Sequence, residues 1–504
     1  MFEMFIIGFS QILNPLSFSM IVLGVLLGII FGVIPGLTGS MAVALCLPLT
    51  YKLGAIPAIV LIMGIYIGGC SGGLISAILL NIPGTPSNIA TSYDGHPMAN
   101  RGEAGKALGV GIFYSFLGGL FSFIILFLIA EPIARVAVKF GPIEYFSIGL
   151  FSLTMIGGLS GKSVPKGLAA GLIGVALSFI GMSEVDGTPR MTMGIVQLNA
   201  GLQLLPALIG LYAVSELIKS KQTKKIEMRT ADYKIRGFGF TWSEFKQQFG
   251  NFLRSATLGT FIGILPGIGG ITSNILAYSV AKSSSKHPER FGTGIIDGIV
   301  APETSNNAAV GGALVPLLTL GIPGDGFTAI VLGALMVHGL TPGPLLMTNS
   351  KDFVYAIFAS LIIANFLTVF FEYFGIKLFV RILRVPKHIL LSVVLVLSVV
   401  GAIGLRNQVF DAWTVLIFGV VGYLMSLLDF PLTPIILGFI LGPIVETNLR
   451  RALMLTHGSV LPFFTKPFSL VFLILAVISV VLAPRLIAKS NQKIVAPTTA
   501  SSEK

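Results

Sequence analysis

Four short breaks interrupt the apolar segments of this chain, and each carries residues able to hold ions. They read VIPGLTGS (33–40), NIPGTPSNIAT (81–91), ILPGIGG (264–270) and GIPGDGFT (321–328), and a polar run ETSNN (303–307) precedes the last. Proline removes a backbone donor and glycine loosens the helix, so a Pro-Gly pair frees N–H and C=O groups that a helix would pair. At membrane depth such groups are tolerated only inside protein or beside a wet cavity. A half-helix start then offers N–H groups to an anion, and a half-helix end offers C=O groups to a cation. Candidate contacts for an anionic substrate are Gly36, Thr38, Ser40, Gly84, Thr85, Ser87, Asn88, Gly267, Ser305, Asn306, Asn307 and Gly324. Their hydroxyls and amides donate without net charge, and no Lys or Arg falls within 35–40, 83–91, 266–274 or 304–328. That suits a carrier, which must release its anion as well as bind it. A side-chain amide also offers an oxygen to sodium, so Asn306, Asn307, Asp325 and Thr328 are the candidate cation ligands, with Asp325 alternatively a proton carrier. Thr or Ser before Asn-Asn-Ala equally fits a helix N-cap, and a capped helix start inside a protein is itself an anion site.

The elements that must position these residues are apolar and long. The chain has 504 residues, 54% hydrophobic and only 11% charged. Stretches without one charge run over 4–51, 53–93, 107–130, 255–281, 326–350 and 412–428. About 20 apolar residues cross the roughly 30 Å of bilayer hydrocarbon as a helix. The expectation is an all-α polytopic membrane protein of about twelve transmembrane segments, some broken or re-entrant. The segments lack the alternation of a membrane barrel. Cys46 and Cys70 lie in apolar segments without metal-ligand spacing and read as small buried hydrophobes. No metal of transition type is expected, and no cofactor beyond a coupling ion. The N-terminus MFEMFIIGFSQ lacks the basic start of a cleaved signal and is expected to remain.

The net charge of +12 sits in connections rather than on a nucleic-acid face. Lys219, Lys221, Lys224, Lys225, Arg229, Lys234 and Arg236 crowd one connection, and Lys377, Arg381, Arg384 and Lys387 another. Both fit cytoplasmic loops under the positive-inside rule. Asp94, His96, Arg101, Glu103 and Lys106, just after the second break, are expected at the aqueous rim, and His338 at the membrane interface.

The chain also resembles itself. GIIFGVIPGLTG (28–39) aligns with GTFIGILPGIGG (259–270), and SGGLISAILLNIPGTPS (71–87) with GGALVPLLTLGIPGDGF (311–327). Gly28 and Gly32 thus match Gly259 and Gly263, read as helix-packing glycines, and Pro83-Gly84 matches Pro323-Gly324. Corresponding Gly/Pro interruptions in two half-chains point to the binding site of a secondary transporter. The expected organisation is a first membrane half at 1–218, a basic cytoplasmic linker at 219–250, a second half at 251–487 and a disordered tail at 488–504.

No HExxH, GxSxG or phosphate-binding loop occurs, and Gly324-Asp325 lacks the close aspartate partner that an intramembrane protease needs, so no enzyme is expected. The motifs resemble those of the large membrane subunit of tripartite tricarboxylate transporters, the TctA family. Four passages carry the resemblance: GIIFGVIPGLTGSMAVALCLPLTY, NIPGTPSNIATSYDGHPMANRGEAGKALG, ETSNNAAVGGALVPLLTLGIPGDGFTAIVLGALMVHGLTPGP and PLTPIILGFILGPIVETNLRRAL. The resemblance implies a multi-pass protein of the bacterial inner membrane that imports di- or tricarboxylates such as citrate by sodium or proton symport. It implies a small membrane subunit (TctB-like) and a periplasmic substrate-binding protein (TctC-like) as partners, and kinship with elevator-type carriers built from inverted repeats. A cation or proton exchanger using Asp325, with no organic anion, is the alternative, and a channel or membrane scaffold a third.

Overall fold

The computed structural model describes residues 2–159, 163–220, 238–382, 396, 399–400, 402–403 and 408–495. Six helical runs among them are long and apolar enough to cross a membrane: Pro15–Val33, Ala55–Leu80, Pro86–Ala137, Lys351–Ile382, Val409–Leu427 and Leu432–Leu455. Other apolar stretches are divided into shorter helices at the Pro-Gly breaks or, like Asp297–Leu320, carry a polar run.

The first half contains α1 (Phe2–Ile12), α2 (Pro15–Val33), α3 (Gly39–Cys46), α4 (Ala55–Leu80), α5 (Ile89–Met98), α6 (Ala104–Ala137), α7 (Pro142–Leu159), α8 (Val164–Ser178), α9 (Leu204–Leu208) and α10 (Ser215–Ser220). The second contains α11 (Trp242–Ile264), α12 (Gly269–Ser284), α13 (Asp297–Leu320), α14 (Gly326–Val337), α15 (Pro344–Asn349), α16 (Lys351–Ile382), α17 (Val409–Leu427), α18 (Leu432–Leu455), α19 (Leu461–Thr465) and α20 (Pro467–Val495). Helix α11 begins inside the stretch assigned to the linker, and the backbone of α20 is helical to Val495. Lys221, Lys224, Lys225, Arg229, Lys234, Arg236, Arg384, Lys387 and the tail from 496 lie outside the described residues.

Backbone-to-backbone packing through glycine builds the centre. A Cβ on Gly28 would stand 2.5 Å from the Ile65 carbonyl oxygen, and one on Gly32 2.8 Å from that of Gly69, so α2 lies directly on α4. In the second half a Cβ on Gly259 would meet the Ser305 oxygen at 2.3 Å, and one on Gly263 the Ala309 oxygen at 2.4 Å, so α11 lies on α13. The glycines therefore pack as their spacing predicts. Their partners also match: Ile65 stands to Ser305, and Gly69 to Ala309, at the sequence offset that relates Pro83 to Pro323.

Each of these helix pairs ends the same way. Helix α4 closes on Asn81 in the left-handed region (φ 55°), and α13 closes on Gly321 (φ 73°). The following Pro83 and Pro323 cannot continue a helix, so both chains turn. Gly36 (φ 89°) and Gly267 (φ 83°) supply the corresponding turn after α2 and α11. Helices α1, α2, α4, α6, α11, α12, α13 and α16 form one bundle, with α4 buried throughout. A second bundle holds α7, α8, α18 and α20, with α17 against the π-helical stretch Ile209–Val214 that joins α9 to α10. The bundles touch where α3 meets that stretch, where α14 meets α9 and α18, and where Phe151 and Met155 pack with Ile262, Ile268 and Ala476.

The all-α expectation needs one amendment. Gly181–Met182 (β1) pairs antiparallel with Pro189–Arg190 (β2), a short hairpin between α8 and α9. Arg190 reaches Glu446 at 2.5 Å and Arg450 reaches Asp186 at 2.6 Å, clamping the hairpin to α18. Two-residue strands leave no periodicity to read in the sequence.

Candidate functional site

The four breaks meet at one place. The Phe327 ring, within the fourth break, fills the space above Gly39 and leaves no room there for a Cβ. A Cβ on Gly269 would stand 2.9 Å from Asp325 Cβ, which joins the third break to the fourth. A Cβ on Gly270 would lie 2.4 Å from Asn306 Oδ1 and 3.5 Å from Ser87 Cβ, which joins the third break to the second and to the ETSNN run. Within the second half the Gly267 N–H donates to the Gly324 carbonyl at 2.7 Å. Gly84 sits against the Gly32 oxygen, leaving no room for a side chain.

The junction has a polar side and an aromatic side. On the polar side Asn306 is almost wholly buried, and its Nδ2 donates to the Cys70 carbonyl at 3.1 Å. That bond fixes which end of the amide faces α4, because the opposite orientation would set two oxygens together. Asn306 Oδ1 then points away from α4 with no hydrogen-bond partner. A buried acceptor without a donor costs about 1–3 kcal/mol. A cation or a hydroxyl hydrogen satisfies it. On the aromatic side the Tyr66 and Phe327 rings stack with centroids 4.5 Å apart. The Tyr66 hydroxyl donates to Asp325 Oδ2 at 2.9 Å.

The other sequence candidates divide by what already holds them. Asp325 caps α14: its Oδ1 accepts from the Thr328 N–H and hydroxyl at 2.8 Å each. Thr38 caps α3 by accepting from the Met41 N–H at 3.2 Å, and Ser40 follows half-buried on the first turn. Gly36 is exposed and Ser87 half-buried. Ser305 is buried against Ser273, hydroxyl to hydroxyl. Asn307 Nδ2 turns back to the Glu303 carbonyl at 3.1 Å. Thr85 donates to Asn88 Oδ1 at 2.5 Å, and Asn88 Nδ2 donates to Glu303 Oε1 at 2.9 Å.

Glu303 is thus the hub of a network that the residue types alone did not assign. Thr91 adds a second donor to Oε1 at 2.5 Å, and Ser115 donates to Oε2 at 2.8 Å. Its signal was available: it is the one acidic residue of the ETSNN run. Asn274, also unassigned, accepts the Ala90 N–H at 2.9 Å and ties α12 to α5. Cys46 and Cys70 are buried and unbridged.

Asp94 corrects an expectation. It lies fully buried rather than at the rim. Its Oδ1 accepts from the N–H groups of Gly292, Gly294 and Ile295 at 2.9, 2.7 and 3.0 Å, and Oδ2 from Tyr278 at 2.9 Å. Three backbone donors gather around an anion wherever a loop folds over it, which no local sequence pattern announces. Arg101 grips the same loop through the carbonyls of Thr293 and Gly294, at 2.5 Å each, while staying exposed. His96 is half-buried with its ring nitrogen 3.0 Å from the Ile78 carbonyl oxygen, and His338 pairs with Thr50 at 3.2 Å.

Fold and site together define a polytopic α-helical membrane protein with broken helices converging on a polar centre. The chain belongs to the tripartite tricarboxylate transporter TctA family, whose model matches residues 18–437. Among curated proteins it is 33% identical over 488 residues to an uncharacterized 52.8 kDa protein from the TAR-I ttuC' 3' region of Agrobacterium vitis, covering 96% of this chain and 97% of the relative. It is 36% identical over 236 residues to an uncharacterized protein from the TAR-II ttuC' 3' region of the same organism, covering 46% of this chain and 98% of that one. No solved structure matches.

Proposed function

We propose that this chain is the large permease subunit of a binding-protein-dependent secondary transporter, importing di- and tricarboxylates of the citrate kind by symport with sodium or protons across the bacterial inner membrane. A TctB-like small membrane subunit and a TctC-like periplasmic binding protein are its partners, and no cofactor takes part beyond the coupling ion. The observation that carries the reading is Asn306: a buried amide at the junction of four helix breaks, held by one bond and offering one bare oxygen.

Substrate carboxylates are assigned to the N–H groups and hydroxyls of the breaks, at Gly36, Thr38, Ser40, Ser87 and Gly324, whereas the N–H groups of Gly84 and Gly267 are taken by the Gly73 and Gly324 carbonyls and shape the turns. Thr85, Asn88 and Ser305 form the layer that holds these in place. Asn306 Oδ1 accepts a substrate hydroxyl or contacts sodium. Asn307, Asp325 and Thr328, the other candidate cation ligands, also hold the geometry of α13 and α14 through their hydrogen bonds. Both oxygens of Asp325 already accept hydrogen bonds, which favours the capping role over that of a carrier.

The matching registers of α2 on α4 and α11 on α13 support a duplicated architecture, which we read as two inverted repeats contributing about twelve membrane segments. Its halves cross at equivalent places: Gly39 meets Phe327 as Gly270 meets Ser87. Two bundles in limited contact support an elevator-type movement of one against the other.

Uptake of radiolabelled di- and tricarboxylates tests the proposal, in membrane vesicles carrying this chain with both partners. Uptake that requires the binding protein and an inward sodium or proton gradient is the expected result. Cation exchange without organic substrate would contradict it.

A further inference from the structure

A second carboxyl, apart from the breaks, is unaccounted for. Glu372 sits in α16 and is fully buried. The Ser71 hydroxyl donates to its Oε2 at 2.9 Å, and its Oε1 has no partner. The other glutamate with no exposure among the described residues is Glu303. None of the ion pairs among the described residues involves either acid. Among the described residues the helices packed on α16 bring no unpaired cation to them: α1 carries Glu3 as its one charged residue, and Lys351, Lys377 and Arg381 of α16 itself are exposed. Helices α2 and α15 carry no charged residue, and α4 presents Cys70 beside Ser71. In α6, Lys106 is paired with Glu244, and Arg135 with Glu131.

The two acids differ in how they are satisfied. Glu303 has three side-chain donors, which suit an ionised carboxylate. Glu372 has one donor and a bare oxygen, so an isolated anion is poorly satisfied there in a dry interior. A proton or a sodium ion neutralises it, and sodium would also find a ligand in the bare Oε1.

We infer that Glu372, with Ser71, is the site where the transporter takes up and releases a coupling monovalent cation, sodium or a proton. The inference rests on the transporter reading and adds a second cation contact, apart from Asn306. Its link to the substrate junction is short, two hydrogen bonds joined through adjacent residues of α4. Ser71 holds Glu372, and the adjacent residue, Cys70, holds Asn306 through its carbonyl. A change in the cation at Glu372 therefore moves the same turn of α4 that positions the Asn306 amide. Sodium takes oxygen ligands of this kind, and a proton takes the carboxyl alone.

Two measurements on the full chain in lipid nanodiscs, without partners or organic acid, test this. Radiolabelled sodium binding reports one source, and the infrared carboxyl stretch followed through a pH titration in sodium-free buffer reports the other. For a sodium site, Glu372→Gln lowers sodium affinity about tenfold or more, the loss expected on removing a charged ligand. For a proton site, Glu372→Gln removes a titrating buried-carboxyl band. Ser71→Ala, which keeps the acid, shifts the same readout and serves if the Gln variant does not fold. A Glu372→Gln chain matching wild type in both measurements, or a Ser71→Ala chain matching it where Glu372→Gln does not fold, overturns the proposal. Because no organic acid is present, the two readings fail separately. Cation binding at Glu372 in a chain that never carries a carboxylate would leave this site standing and contradict the symporter.

Discussion

Asn306 carries the substrate reading because one end of its amide is held and the other is not. Replacing it with Ala removes the bare Oδ1 and the bond to Cys70 together, and uptake is expected to fall about ten- to hundredfold, the range for a hydrogen bond to a charged or strongly polar partner. Asn307→Ala is expected to leave more uptake, because its amide serves the Glu303 carbonyl of its own helix. Initial uptake rates normalised to membrane-inserted protein decide between them, and equal loss in both would contradict the distinction. These asparagines were legible in the sequence because neutral polar groups stand out in an apolar run. Glu303, Asp94 and Glu372 were harder to place. Their partners lie far along the chain, as with Asn88 to Glu303 and Ser71 to Glu372, and only the folded bundle brings them together.

At the scale of elements, the breaks do their work only because the helices before them pack without side chains between. Gly259→Leu forces a side chain against the Ser305 carbonyl, one residue from Asn306. Overpacking of this kind costs about 1–3 kcal/mol, so a lower thermal midpoint in detergent is expected together with reduced uptake. The Asp94 latch makes a second element-scale prediction. Asp94→Ala strands the N–H groups of Gly292, Gly294 and Ile295 and the Tyr278 hydroxyl, at about 1–3 kcal/mol for each buried donor that water does not reach. Thermal unfolding is expected to show a clear loss, whereas a rim residue would show almost none. The position of every Pro-Gly break was readable from local chemistry, since proline and glycine act on their own turn. The β1–β2 hairpin was not, because its hold is an ion-pair cluster with α18 rather than a pattern of its own. Asp186 in that cluster is held well below the usual carboxylate range by hydrogen bonds from Ser183, Arg450 and Thr188. A carboxyl depressed in the folded state stabilises above its unfolded pKa and loses that contribution as pH falls. The midpoint difference between wild type and Asp186→Asn is therefore expected at neutral pH and to shrink below about pH 4.

Across the whole molecule, the sequence repeat and the packing registers agree on how the halves correspond, from Gly28 and Gly259 to Pro83 and Pro323. The orientation of one half against the other was not legible, because each broken helix changes how often the chain crosses. Nor was the division into two bundles, which depends on where α7, α8, α18 and α20 pack. The central claim is that the junction of the four breaks carries an organic anion with a cation. Its most direct test is uptake of radiolabelled citrate-type acids in vesicles carrying this chain, the small membrane subunit and the binding protein, under an imposed sodium or proton gradient, for wild type and Asn306→Ala. Gradient-driven uptake in wild type, lost in a variant that still inserts and folds, is the expected result. Undiminished gradient-driven uptake in the variant would contradict the account.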